Sequence, residues 1–206
     1  YAVYARTAFR EFGQEIKYWF TFNEPIVEPD QRYRNGCWYP FIKDAKRGMQ
    51  VQYHLSLAHA LAVREFRRAK EEGLMRPDAQ IGLINCFAPP YTKENPTPED
   101  LEALRMEDGI NNRWWLDLVA EGHLPEDVLK TLKECGLLPE MRPGDEEILK
   151  EGKVDWLGFN YYHPSRIQAP KEKLDENGYP KFSDPYVWPE AKMNIYRGWE
   201  IYPKGI

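Results

Sequence analysis

The sequence predicts an α/β fold of buried parallel strands alternating with amphipathic helices, and two kinds of observation carry that prediction. Tyr18–Phe22, Ile81–Phe87 and Val154–Phe159 are short, nearly continuous apolar runs, the pattern of strands covered on both faces of a parallel sheet. Between them lie helical patterns with start and stop signals, giving the alternation of strand and helix expected of this class. The first and third runs end on polar residues, Asn23-Glu24 and Asn160-Tyr161-Tyr162-His163. Polar chemistry at strand C-terminal ends fits a (β/α)-barrel or an open doubly wound sheet. No Gly-rich phosphate loop follows any of the runs, so the barrel is preferred.

The elements follow in order. Ala5, Ala8, Phe9 and Phe12 share one helical face, and Gly13 is expected to cap that helix in the left-handed conformation. The aromatic strand Tyr18–Phe22 comes next, and Pro25 is expected to hold Glu24 extended. After a loop containing Asn35-Gly36, Val51, Leu55, Ala58, Ala62 and Phe66 predict a second helix that fades into a charged, solvated end. The run from Ile81 to Phe87 is closed off by Pro89-Pro90. Thr97-Pro98-Glu99-Asp100 offers a capping hydroxyl, a proline at the first helical position and an acid three residues after the cap. A long helix carrying Trp114, Trp115 and Leu118 should start there. Pro125 to Cys135 predicts a helix ended by Gly136, and Asp145-Glu146-Glu147-Ile148 a short one ended by Gly152. Beyond the third strand, Lys171–Gly178 reads as a solvated hairpin or loop.

Composition removes several function classes. At 206 residues, 42% hydrophobic and 30% charged, the chain has the makings of one globular domain and not of a disordered segment. A net charge of -5, without a basic stripe or polybasic segment, argues against nucleic acid and anionic lipid as partners. No apolar stretch approaches the roughly 18 residues needed to span a bilayer. Cys37, Cys86 and Cys135 are widely spaced and match no metal or redox motif, which fits reduced thiols in a cytoplasmic protein. His54 and His59 are five apart and so do not share a helix face as paired ligands would; no metal and no cofactor is expected. The opening at Tyr1 and the close at Ile206 read as those of an internal fragment.

Glu24 is the sharpest candidate for chemistry. A carboxyl desolvated at the end of an aromatic strand favours the protonated form that a general acid needs. From position alone, a capping or salt-bridged glutamate is an equal reading. Asn23 could position a substrate hydroxyl, although alone it would read as a turn-forming amide.

Three ordered motifs decide between these readings. Trp19-Phe20-Thr21-Phe22-Asn23-Glu24-Pro25, then Gly158-Phe159-Asn160-Tyr161-Tyr162, then Gly198-Trp199-Glu200-Ile201-Tyr202-Pro203-Lys204-Gly205 resemble glycoside hydrolase family 1 in content, order and separation. The resemblance covers essentially the whole chain. It implies a retaining β-glycosidase with Glu24 as acid/base and Asn23 holding the sugar 2-hydroxyl. Tyr162 would orient the nucleophile, Asn160 would support the same site, and Trp199 would be a platform for the leaving group. Glu200 matches the glutamate that follows the platform tryptophan in the family and is read as structural. The family's nucleophile sits in a Thr-Glu-Asn-Gly motif further on, outside these residues.

On this mapping, residues 1–206 are the central portion of a single (β/α)8 catalytic domain, approximately strands 4 to 6 with their helices, and the isolated fragment is expected to be inactive. Within the family, Asn-Glu-Pro-Ile-Val around Ile26 and Tyr162-His163-Pro164-Ser165-Arg166 look most like bacterial 6-phospho-β-glucosidases. The implied partner is a small β-glucoside carrying a 6-phosphate. An unphosphorylated β-glucoside, or a non-catalytic sugar-binding or scaffolding role, are the alternatives, and an intact Asn23-Glu24 pair argues against the last.

Overall fold

The computed structural model describes residues 1–206. In chain order, helix α1 (Ala2–Phe12) leads to strand β1 (Tyr18–Asn23), a short turn α2 (Val27–Pro29) and the long helix α3 (Ala45–Glu71). Strand β2 (Gln80–Cys86) and the two-residue strand β3 (Pro90–Tyr91) follow, then helices α4 (Pro98–Asp108), α5 (Trp114–Glu121), α6 (Glu126–Glu134) and α7 (Asp145–Lys150). The chain continues through β4 (Trp156–Asn160), β5 (Ser165–Gln168), β6 (Asp184–Pro185), β7 (Met193–Asn194) and β8 (Trp199–Glu200).

The three apolar runs form one parallel sheet in the order β1-β2-β4, with helices returning the chain between neighbours. Neighbouring strands thus succeed one another in chain order, as in a barrel sector, and no strand crosses back over β1. One face of β2 carries Ile81, Leu83 and Asn85, all fully covered by helices. Its other face carries Gly82 and Ile84, and there the strands interlock by size. The ring of Trp156 lies over Gly82, where a Cβ would come within 2.4 Å of it, and Ile84 lies over Gly158, where a Cβ would come within 2.8 Å. A smaller sheet, β3-β5-β6, and the hairpin β7-β8 carry the chain after β4.

The helix layer holds two apolar clusters. The larger gathers Tyr53, Leu83, Trp114, Trp115, Leu118 and Leu132 among its members, and the smaller gathers Ala5, Phe9, Val63, Phe66 and Ile81. Fully burying a side chain such as Phe66 contributes about 1.5–3 kcal/mol.

Five expectations are corrected. Gly13 is right-handed, at φ -62°; glycine is needed because a Cβ would sit 2.3 Å from the Phe9 carbonyl and 2.4 Å from that of Leu74. The strands β1 and β4 are not covered on both faces: they are the sheet's edges, and Tyr18, Phe20 and Phe159 are at least half exposed. The buried face of α3 is turned from the apolar stripe, with Ala62 and Phe66 buried, Val51, Leu55 and Ala58 only half-buried, and polar Gln52, Ser56 and His59 wholly buried. Their hydrogen bonds explain it: Gln52 donates to the Ile110 carbonyl at 2.8 Å, Ser56 accepts from Trp114 Nε1 at 2.9 Å, and His59 bonds Thr21 and the Gly152 carbonyl, both at 2.7 Å.

The long helix begins with the predicted reciprocal cap between Thr97 and Asp100 but is broken into α4 and α5 by a π turn at Gly109–Arg113. That extra residue lets Asn112 bond both the amide and the carbonyl of Ala88 at 3.3 Å. The fifth correction concerns Glu24. It is not extended but left-handed, at φ 52°. Its amide donates to Ile84 O at 2.8 Å and its carbonyl accepts from Val27 N at 3.0 Å. These bonds turn the chain over the end of β2 and outweigh the local preference of a residue before proline.

Candidate active site

The site lies at the C-terminal ends of β1 and β4, the end at which barrel enzymes carry their chemistry. Cys86 closes β2 opposite Asn160, so the end of β4 reaches across it toward the end of β1. Asn160 Nδ2 donates to Glu24 Oε1 at 2.7 Å and also to Asn23 Oδ1 at 3.1 Å. The Tyr162 hydroxyl donates to the same Glu24 Oε1 at 2.7 Å. The two oxygens of Glu24 are therefore unequal: Oε1 accepts twice, and no group of the chain hydrogen-bonds Oε2.

The electrostatics follow from that contact. Its hydrogen bond to Glu24 raises the Tyr162 phenol above its ordinary pKa, so Tyr162 stays a donor. Burial pushes the Cys86 thiol up to about 12, with the Glu24 charge adding to the effect. Cys86 is thus a neutral wall of the site and not a nucleophile.

Trp199, on β8, comes to the same place from far along the chain. Its ring centroid lies 5.5 Å from that of Tyr162 and 5.2 Å from that of His163, with the Arg197 guanidinium 5.1 Å away. All five candidate residues, Asn23, Glu24, Asn160, Tyr162 and Trp199, are joined by hydrogen bonds or ring contacts. Within residues 1–206 the hydrogen-bond partner of Tyr162 is Glu24 itself, and no second carboxylate is hydrogen-bonded into the cluster.

Glu200, read as structural from the sequence, has a partner that went unread there. Glu200 is buried at 6% exposure and takes both donors of Arg166, at 2.9 and 2.8 Å. The Arg166 guanidinium lies against the rings of Trp188, Tyr91 and Tyr202 at 4.5, 4.7 and 4.9 Å. These partners lie between 22 and 75 residues from Arg166 in the chain, so no local spacing announces them.

No helix is long and apolar enough to cross a membrane. The family model described as glycosyl hydrolase family 1 matches residues 1–206. The chain is 40% identical to the 6-phospho-beta-glucosidase GmuD of Bacillus subtilis, over 100% of this chain and 43% of the relative. It is 31% identical to beta-glucosidase A of Acetivibrio thermocellus, over 98% of this chain and 42% of that protein. A Thermotoga maritima family 1 glycoside hydrolase, solved with a cyclophellitol analogue described as a transition state mimic, superposes with a TM-score of 0.79 at 29% identity. That match covers 99% of this chain and 42% of the solved one. The chain thus spans less than half the length of these relatives, and its fold is a sector of their (β/α)8 barrel.

Proposed function

Because the chain belongs to glycosyl hydrolase family 1, we propose that residues 1–206 are the central portion of a single (β/α)8 catalytic domain that hydrolyses 6-phospho-β-glucosides with retention, in the cytoplasm. The observation that carries the catalytic reading is the asymmetry of the Glu24 carboxyl. With Oε1 accepting from both Asn160 and Tyr162, the proton that a general acid delivers belongs on Oε2, the oxygen left for the substrate.

Retaining hydrolysis runs in two displacements. A second carboxylate about 5–5.5 Å away attacks the anomeric carbon while Glu24 passes its proton to the departing glycosidic oxygen. The same Glu24, now ionised, takes a proton from the water that releases the sugar from its covalent intermediate. The attacking carboxylate comes from outside residues 1–206 on this reading. Asn23 assists binding: its Oδ1 is taken by Asn160, so its Nδ2 is the group turned to a sugar 2-hydroxyl. Trp199 offers an aromatic face to the leaving group. Tyr162 and Asn160 hold Glu24 in place, and in the complete domain Tyr162 is within reach of the nucleophile as well.

The 40% identity to a 6-phospho-beta-glucosidase, against 31% to a beta-glucosidase A, supports the phosphorylated substrate. An unphosphorylated β-glucoside is the second reading, favoured by the relatives that carry that name. In the full-length enzyme, Glu24→Gln should slow poor leaving groups by about 100-fold or more and activated nitrophenyl ones far less, because general acid catalysis contributes about 10²–10⁴-fold. Equal losses with both would refute the acid role. Rates on nitrophenyl β-glucoside and on its 6-phosphate, measured side by side, decide the substrate.

A further inference from the structure

Resting on the assignment of Trp199 as the leaving-group platform, we propose that Arg166 is a positioning residue for leaving-group selectivity. It locks Trp199 into register with Glu24 through its ion pair with Glu200.

The segment Asn160–Gln168 is fastened at both ends. At its start, Asn160 and Tyr162 bond Glu24. Four residues after Tyr162, Arg166 bonds the carboxylate of Glu200 in the two-donor fork geometry that fixes direction as well as distance. Glu200 adjoins Trp199 in the chain, so its position dictates where the Trp199 backbone lies. The hairpin alone could not do this: β7 and β8 pair over only two residues each, and Ile195 and Tyr196 in the turn between them are 84% and 91% exposed. Two-stranded pairings of that size are marginal without outside support.

Arg166 supplies the support because it is held on several sides. Its side chain is 14% exposed, the Tyr91, Trp188 and Tyr202 rings enclose its guanidinium, and its backbone carbonyl accepts from Tyr186 N at 2.9 Å. A planar cation is required for this combination, since only guanidinium both stacks on aromatic faces and grips a carboxylate with two parallel donors. The surrounding cavity, about 450 Å³, reaches from Trp188 to Trp199, so a displaced Trp199 has space to enter. Loss of the lock therefore lets the platform drift without unfolding β5.

The test compares phenyl and methyl β-glucosides, used as 6-phosphates if the wild type requires them, on the full-length enzyme and its Arg166→Lys and Arg166→Met variants. A phenyl group stacks on Trp199 and a methyl group does not. The expected result is that kcat/KM for phenyl relative to methyl falls by about 3- to 10-fold in Arg166→Met, the worth of one aromatic contact, with a smaller fall in Arg166→Lys. The methyl rate and the Glu24-dependent pH profile should be retained. An unchanged ratio in either folded variant, or equal losses on both substrates, overturns the inference. If Arg166→Met does not fold, Arg166→Lys decides alone, because it keeps the charge and loses the fork. A wild type that turns over neither glycoside refutes the glycosidase reading and this inference with it, a result distinct from wild-type turnover with unaltered selectivity.

Discussion

His59 lies fully buried between β1 and the end of α7, its Nε2 donating to the Gly152 carbonyl and its Nδ1 hydrogen-bonded to the Thr21 hydroxyl, which donates to it when the ring is neutral. Burial lowers its pKa from 6.5 to about 4. A histidine depressed in the folded state contributes stability that is complete above its unfolded value and is lost as the pH falls between the two. The window here is pH 6.5 down to about 4. At 1.36 kcal/mol per pH unit, the amount at stake is about 3 kcal/mol. Thermal melts of the full-length enzyme across that window should show the loss, and His59→Gln should flatten it while lowering stability at pH 7. A melting profile of undiminished slope in the variant would assign the acid sensitivity to other groups. Glu24 shows a different lesson at this scale. Its place in the candidate site was legible from its neighbours in sequence, but the inequality of its two oxygens was not, because the donors stand 136 and 138 residues away.

At the scale of elements, whatever is set by adjacent residues could be read and whatever is set across the fold could not. The reciprocal cap of Thr97 and Asp100 and the positive φ of Gly136 are local events with local signatures. The rotation of α3 is decided by Ile110, Trp114 and Gly152, which satisfy three polar side chains that hydrophobic periodicity would have placed outside. Likewise the three motifs disclosed Asn23, Glu24, Asn160, Tyr162 and Trp199, whereas the enclosure of Arg166 needs rings from three separate segments. The interlock of β2 with β4 is also long-range, and it yields a prediction. Gly82→Ala would bring a Cβ within 2.4 Å of the Trp156 ring and 2.7 Å of its carbonyl, a neighbour with little room to yield. Overpacking of that kind costs about 1–3 kcal/mol. Denaturant titration of the full-length protein should register it, and a change under about 0.5 kcal/mol, the range of ordinary surface substitutions, would mean that the strands separate easily.

For the molecule as a whole, the accessible surface is the telling quantity. A self-contained protein of 24.3 kDa exposes about 10,000 Å², and this chain exposes 11947 Å². Part of the excess lies on the sheet's edge strands, where Tyr18 is 60%, Phe20 50% and Phe159 59% exposed. Open parallel edges with apolar flanks are sites of pairing between chains. Residues 1–206 expressed alone should therefore self-associate at micromolar concentration in sedimentation experiments and should lack turnover. A monomeric, active polypeptide would contradict both the partial-barrel reading and the need for a second carboxylate. The backbone of Glu24 bears on how such a protein changes over generations. At φ 52° an L-residue is held at a cost of about 1–2 kcal/mol that glycine escapes. Selection for robustness alone would favour glycine at position 24, so if Glu24 is the acid proposed above, a lineage released from that reaction should lose it early, and glutamate should persist there only while the reaction is under demand.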